Sequence, residues 1–362
     1  MARDRLAPIA DAGAPGHVNR ELVAALGSVG LLAKVLSGDA VPATELCLIR
    51  EGLARHSTHA ETAFALQGLG AHPILAAGPR AVVDEWVPRV ARGEAVAGFA
   101  LTEPDAGSDA GAISLRADRD GQDFVLAGDK TYISNAPDAD VYTVFARTTP
   151  DAGRRGITAF AVARDSAGLS GEPIDLISDH AIGSLRFDGV RVPADHVLGE
   201  IDAGFKVALD TLTLFRPSVG AAAVGMAQAA VDATVDHIVA REAFGRRLAE
   251  FQGVSHQLAD AATKLQAARL IVFAAAAAYD NGVRPTIEIA AMAKLFATET
   301  AQEVIDVAVQ LHGARALERG HLLAHLYREV RALRIYEGTS EIQREIIARA
   351  LIDNARGAES RA

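Results

Sequence analysis

Seven apolar residues, Phe251, Val254, Leu258, Ala261, Leu265, Ala268 and Val272, step by three and four positions without a break. A stripe of that period, about six turns long, cannot alternate across a strand. It has to be buried against other helices, as in one member of an antiparallel bundle. Short side chains at Gly220 to Ala223 and Ala274 to Ala278 let helix backbones approach closely. The chain therefore reads as helical from about residue 203 onward, fraying at Arg356 to Ala362.

The beginning has the same habit. Leu22, Val23, Leu26, Val29 and Leu32 recur at helical spacing, and segments 43–56 and 59–68 repeat it between Ser, Thr, Gly and Pro punctuation. Gly68-Leu69-Gly70 reads as a helix stop, because no strand precedes it to make a nucleotide loop. Between these ends the period changes to two. Ile113, Leu115 and Ala117 alternate up to the turn Asp120-Gly121, and Phe124 and Leu126 alternate before Gly128-Asp129. Val141 to Ala146 and Ile157 to Ala163 are further runs, separated by a Pro- and Gly-bearing turn. Short strands so spaced predict an antiparallel sheet or barrel, not βαβ units, and disfavour a Rossmann dinucleotide site. The predicted fold class is α+β: an N-terminal helical domain (1–97), a middle β domain (98–202) and a C-terminal helical bundle (203–362).

Composition narrows the function. The 362 residues call for two or three packed units, and a net charge of −10 argues against nucleic acid or anionic membrane as the main partner. Cys47 is the single cysteine, so no intrachain disulfide framework exists; its apolar surroundings suit a packed thiol. Met1 to Ala10 lacks the apolar core of a secretory leader, and the longest apolar run, Leu270 to Tyr279, is too short for a membrane span. A cytoplasmic protein with no membrane span is expected. His321 and His325 share a helix face at i, i+4, but no third ligand accompanies them, so no metal site is expected. Trp86 is expected to anchor the last helix of the first domain.

Three strings carry chemistry. Phe99-Ala100-Leu101-Thr102-Glu103-Pro104-Asp105-Ala106-Gly107-Ser108-Asp109 forms a compact polar loop at the entry to the β region. Gly128-Asp129-Lys130-Thr131-Tyr132-Ile133-Ser134-Asn135 sets an aromatic among hydroxyls, suited to stacking on a flat ring and bonding its edge. Arg334-Ile335-Tyr336-Glu337-Gly338-Thr339-Ser340-Glu341-Ile342-Gln343 puts a carboxylate on a tight turn before the last helix. There Ser340 and Gln343 have capping-box spacing, and Ile342, Ile346 and Ala350 mark a buried face. A carboxylate so held is suited to proton abstraction.

Together with Arg241-x-x-Phe244-Gly245 and Phe251-Gln252, these strings resemble the motifs of the acyl-CoA dehydrogenase family, in its order and at about its spacing, over residues 20 to 352. The resemblance implies FAD as cofactor. Phe99, Leu101 and Thr102 would line the flavin, Tyr132 would pack against its ring, and Ser134 would bond nearby. Arg241, Phe244 and Gln252, with Gln310 and Gly313, would reach the cofactor of a neighbouring subunit, while Thr339 and Glu341 contact the subunit's own. A homo-oligomer follows, expected to be a tetramer. Ser108 and Arg216, with Gly338, would meet an acyl-thioester substrate, on CoA or on a carrier protein. Glu337 would be the catalytic base, taking the α-proton while the β-hydrogen passes as hydride to flavin N5. Its own N–H and a flavin hydroxyl would stabilise the enolate, and burial would raise its pKa towards a useful value. An electron-transferring flavoprotein would reoxidise the flavin.

The sequence also departs from the family pattern. Ala314 stands where many relatives have glycine, and Thr213 and Phe215 replace a common Asp and Gly before Arg216. Residues 212–215 contain no acid, so the alternative base position of some branched-chain relatives is empty, and Glu337 is the only base the resemblance supports. Asp179-His180-Ala181-Ile182-Gly183 lacks the usual loop pattern, part of the first helix is absent, and a Tyr-Gly-Gly loop near residue 37 is missing. Phe215-Arg216-Pro217-Ser218-Val219-Gly220 resembles a subgroup that includes cyclic-acid enzymes. A flavin monooxygenase or oxidase on the same fold is the alternative, which Glu337 counts against.

Overall fold

The computed structural model describes residues 1–36, 41–283 and 286–359. The region near residue 37 and residues 360–362 lie outside them, and fraying from Arg356 is not seen in the described residues, where the last helix continues to Glu359. The chain divides into two compact units, residues 1–41 with 59–212 and residues 42–58 with 213–362.

The helical part of the first unit contains α1 (Ala7–Asp11), α2 (Arg20–Ser28) and α3 (Leu31–Leu36). Helix α4 (Ala43–Ala54) follows in the chain but belongs to the second unit. Then come α5 (Thr58–Ala77) and α6 (Arg80–Ala91). Asn19 starts α2 by accepting the Leu22 N–H at 2.9 Å and donating to the Ile9 carbonyl at 2.8 Å. Trp86 is buried on α6, as expected.

Helix α5 corrects one expectation. It does not stop at Gly68-Leu69-Gly70 but continues to Ala77. Gly70 is there for packing: a Cβ on it would lie 2.6 Å from the Ala97 carbonyl carbon and 2.7 Å from the Gly98 nitrogen. Thr143 Oγ1 adds a bond to the Gly70 carbonyl at 2.9 Å.

Those close neighbours belong to an eight-stranded sheet. Its strands are β1 (Ala97–Ala100), β2 (Arg116–Asp120), β3 (Asp123–Ser134), β4 (Val141–Arg147), β5 (Ile157–Ala163), β6 (Leu169–Pro173), β7 (Ile182–Val192) and β8 (Val197–Leu198). The spatial order is β6-β7-β3-β2-β4-β5-β8, with β1 beside β4. The β2–β3, β3–β7, β4–β5, β5–β8 and β6–β7 ladders are antiparallel, as the alternation predicts. Strand β1 differs, pairing parallel to β4 from Ala97 opposite Val141. It enters from a helix rather than through a hairpin, so nothing obliges it to run antiparallel. Gly128-Asp129 does not end a strand either. Strand β3 runs through it to Ser134, and register shifts at Leu126/Ala127 and Lys130/Ile133 absorb the irregularity.

One buried ion pair fixes the polar loop onto this sheet. Lys130 Nζ donates to Glu103 Oε1 at 2.8 Å and to the Leu101 carbonyl at 2.9 Å, with the lysine fully buried. Glu103 also accepts the Ser114 and Leu115 N–H groups at 2.6 and 3.0 Å and the Ser114 hydroxyl at 2.9 Å. Desolvation pushes Lys130 down to about 8 against the pull of Glu103. Burial alone would raise the Glu103 carboxyl, but Lys130 and the two N–H bonds hold it below the usual range.

In the second unit α7 (Gly204–Ala240), which begins in the first unit, is followed by a hairpin of β9 (Glu242–Ala243) and β10 (Arg246–Arg247). Helices α8 (Gln252–Asp280), α9 (Thr286–His312), α10 (Leu322–Ala332) and α11 (Ser340–Glu359) complete it. Helix α8 packs on α9 and α4, and α9 also carries α10 and α11. The predicted seam is buried at Ala261, Leu265, Ala268 and Val272 and half-buried at Phe251, Val254 and Leu258. A Cβ on Gly220 would lie 2.7 Å from Val272 Cγ2, which explains the small residues on α7. Asp280 caps α4 by accepting the Ala43 and Thr44 N–H groups at 2.6 and 3.0 Å. Helices α7 and α8 would be long and apolar enough to cross a membrane by length and composition alone, but most of the α7 stretch is buried inside the protein. Cys47 is buried on α4, and burial pushes its thiol up to about 12.

Two stability tests follow. Gly70→Ala should cost ~1–3 kcal/mol in urea unfolding by overpacking, whereas Gly52→Ala, with open space around the new methyl, should gain up to ~1 kcal/mol. Glu103→Gln strands a buried ammonium and should cost ~3–5 kcal/mol at neutral pH. Because the folded carboxyl titrates below its unfolded value, Glu103 stabilises above the usual carboxylate range and loses that contribution as pH falls through its folded pKa. Acid unfolding of Glu103→Gln should therefore depend less steeply on pH than that of the wild type.

Candidate active site

The first unit brings Leu101, Thr102, Tyr132 and Ser134 together. The Glu103–Lys130 pair clamps the loop, and the Thr131 N–H donates to the Thr102 carbonyl at 3.0 Å. Tyr132 lies in the register shift of β3 with φ +55°, a left-handed conformation that costs a tyrosine about 1–2 kcal/mol. The strained backbone turns the ring outward, where it is 61% exposed. Asn135, also left-handed, donates to the Ala97 carbonyl at 2.8 Å and ties this segment to β1. A Cβ on Gly98 would lie 2.6 Å from the Ser134 carbonyl oxygen. Among the described residues the hydroxyls of Thr102, Tyr132 and Ser134 make no hydrogen bond within the chain. An open aromatic face flanked by unused hydroxyls fits a planar heteroaromatic ring. Phe99 is buried with its ring 5.0 Å from that of Phe145, and Ser108 is exposed.

The second unit holds the carboxylate. Glu337 has φ +53° and Gly338 φ +92°, so two successive residues are left-handed. This turns both carbonyls toward buried donors. Arg216 Nε reaches the Glu337 carbonyl at 3.3 Å, and Gln343 Nε2 reaches the carbonyls of Glu337 and Gly338 at 3.3 and 2.9 Å. Lys294 Nζ donates to the Gly338 carbonyl at 2.8 Å. A Cβ on Gly338 would lie 2.6 Å from Gln343 Nε2, so the brace also requires glycine. Glu337 is half-buried overall and its Oε2 atom is buried. Desolvation lowers the pKa of both Arg216 and Lys294, the latter to about 8, and in each case the charge of Glu337 opposes it.

The expected capping box is corrected here. Thr339, one residue earlier, caps α11, its Oγ1 accepting the Ile342 N–H at 3.4 Å. Ser340 Oγ is buried without a hydrogen-bond partner, and Gln343 braces the turn instead of reaching back to the cap. The exposed Glu341 carboxylate is held below its usual range by its own backbone N–H and the Thr339 hydroxyl. Lys294 went unnoticed in the sequence. The signal was present: it shares the buried face of α9 with Ala290, Ala297 and Ala301, where a lysine needs a reason.

The remaining expected residues form another group in the same unit. Arg241 precedes the hairpin, whose tip carries Phe244 and Gly245, both left-handed. Phe244 is 95% exposed, and its ring centroid lies 6.3 Å from that of Phe251, which the Arg246 guanidinium covers at 3.9 Å. Gln252 and Gln310 are exposed. His237 stacks on His312 at 4.1 Å, which brings the end of α7 beside the turn bearing Gly313. His321 and His325 take separate structural partners: His321 caps α10, and His325 Nε2 lies 2.7 Å from Thr58 Oγ1. Among the described residues no three His, Cys, Asp or Glu side chains are placed to share a metal.

Comparison with known proteins identifies the family. The acyl-CoA dehydrogenase N-terminal, middle and C-terminal domain models match residues 1–94, 98–190 and 202–352. The chain is 35% identical to cyclohexane-1-carbonyl-CoA dehydrogenase of Geobacter metallireducens, covering 98% of this chain and 95% of that one. It is 37% identical to the caffeyl-CoA reductase–Etf complex subunit CarC of Acetobacterium woodii, over 78% of this chain and 76% of the relative. The solved butyryl-CoA dehydrogenase of Megasphaera elsdenii superposes with a TM-score of 0.91 at 32% identity, covering 97% and 95% of the two chains. The chain thus belongs to the acyl-CoA dehydrogenase family of FAD-dependent oxidoreductases.

Proposed function

We propose that this protein catalyses α,β-dehydrogenation of an acyl-CoA to the trans-2-enoyl thioester, with Glu337 as the base. The observation that carries this reading is the braced left-handed turn, which fixes a carboxylate beside two buried cations. An α-proton next to a thioester is weakly acidic, so the base has to be ionised, desolvated and held in place before it can act. The turn holds the carboxylate in place and buries its Oε2 atom. Glu337 takes the α-proton onto its carboxylate, and Gly338, next to it on the turn, is placed to meet the thioester. FAD, when bound, supplies the acceptor for the β-hydrogen as hydride. Phe99, Leu101, Thr102, Tyr132 and Ser134 would hold its ring system, and Thr339 and Glu341 would offer further contacts. Ser108 meets the carrier end of the substrate. Arg216, buried against the turn, acts through the Glu337 carbonyl.

The quaternary arrangement belongs to the same reading. Arg241, Phe244, Gln252, Gln310 and Gly313 serve the cofactor of a neighbouring subunit in a homotetramer. The nearly bare Phe244 ring and the exposed Leu270, Phe296, Ile335, Leu351 and Ile352 support association between copies. An electron-transferring flavoprotein in the cytoplasm would take the electrons, in keeping with the Etf complex named for one relative.

Glu337→Gln should retain FAD and bind thioester but reduce the flavin ~10²–10⁴-fold more slowly. Anaerobic bleaching of the flavin by short, branched, cyclic and aromatic acyl-CoAs measures this and also identifies the acyl group. Bleaching at the wild-type rate in the variant would remove Glu337 from the base role, and rapid hydroxylated product in air would point to an oxygenase instead.

A further inference from the structure

Lys294 is a buried cation for which the dehydrogenation chemistry has no direct use. It is fully buried on α9, and its ammonium donates to the Gly338 carbonyl at 2.8 Å. Gln343 already satisfies that carbonyl at 2.9 Å. Burying an ammonium costs several kcal/mol, roughly, even after relaxation, so an apolar side chain of similar length would serve packing better. Something other than packing keeps a charge there.

The turn indicates what that is. A left-handed glutamate is strained and persists only where its surroundings over-determine it. Here the over-determination comes from Arg216, Gln343 and Lys294 acting on two adjacent carbonyls. Of the three, Arg216 and Lys294 carry charge that interacts with the Glu337 carboxylate, and of these two Lys294 is the one that bonds the Gly338 carbonyl. The charged groups facing it are Glu337, Arg216, Glu299 and Glu341. Glu299 is engaged by Arg334 at 2.8 Å, and Glu341 is exposed, so Glu337 is the main carboxylate left to the two buried cations.

We propose that Lys294 is a positioning residue for the base: it pins the Gly338 carbonyl and supplies the countercharge that keeps Glu337 ionised and aimed from its left-handed turn. Without that countercharge a carboxylate with one buried oxygen becomes easier to protonate. The proposal rests on Glu337 being the base, so its test needs a readout for each half.

Phenylacetyl-CoA carries α-protons and no β-hydrogen, so exchange of its α-protons in D2O by the FAD-loaded enzyme reports the base without any redox step. Lys294→Met should slow this exchange at neutral pH about 30-fold, with thioester affinity held within about threefold. The pH midpoint of exchange should move upward, because loss of a cation makes the carboxylate easier to protonate. Amide-deuterium uptake over residues 333–343 should rise in Lys294→Met and stay unchanged in Glu337→Gln. Lys294→Gln keeps a donor without the charge, so it should shift the pH midpoint while leaving uptake near the wild type. It also stands in should the methionine variant fail to fold. Wild-type exchange rate and midpoint in either variant would overturn the proposal. If the wild type and Glu337→Gln exchange equally, the base assignment is what fails, and unchanged amide uptake in Lys294→Met would still overturn the pinning.

Discussion

Two adjacent peptide carbonyls, those of Glu337 and Gly338, face three buried donors, and the placing of the Glu337 carboxylate depends on that contact. A left-handed glutamate followed by a left-handed glycine would not hold its shape alone. Arg216 comes from α7, Lys294 from α9 and Gln343 from α11, so three helices of the bundle converge on one turn. The long apolar faces of these helices explain why the bundle forms. The polar convergence explains why it forms with a carboxylate in a fixed place. Strain at the turn is local, while the packing that sustains it is spread over the unit.

The first unit solves a comparable problem differently. Its exposed Tyr132 needs an irregular strand behind it, and the register shift at Lys130/Ile133 provides that irregularity. A bulged strand beside a loop is prone to slip. The Glu103–Lys130 pair prevents it, because Lys130 on the strand grips both a side chain and a main-chain carbonyl of the loop. The absence of a Cβ at Gly98 and Gly70 then allows β1 to fit between Ser134 and helix α5. The hydroxyl-flanked aromatic face is thus a result of backbone irregularity stabilised at depth.

Regular features were legible in the sequence because periodicity reports which face is buried. The seam from Phe251 to Val272 and the strands at 141–147 and 157–163 follow directly from spacing. Glycine was harder to interpret. Gly70 and a helix-stopping glycine look the same in sequence, and only the neighbouring Ala97–Gly98 backbone, distant along the chain, distinguishes them. Strand β1 was similarly hidden, since its direction depends on what it pairs with. The base turn was legible as a motif but misread by one residue in its capping, because Gln343 had two possible uses. Spacing alone cannot choose between capping a helix and bracing carbonyls turned inward by a left-handed backbone.

The two fully buried lysines separate structural from functional burial. Lys130 and Lys294 are equally inaccessible, and burial pushes each down to about 8. Lys130 has a carboxylate to itself: Glu103 meets it at 2.8 Å and is further held by main-chain N–H groups that leave it no other use. The pair therefore serves to hold a loop. Lys294 instead bonds a neutral carbonyl and shares the charge of Glu337 with Arg216. With Glu337 as the proposed base, that carboxylate is the group whose charge changes when a proton is taken up. On that proposal Lys294 is coupled to the reaction as Lys130 is not, although the two look alike by burial, charge and residue type.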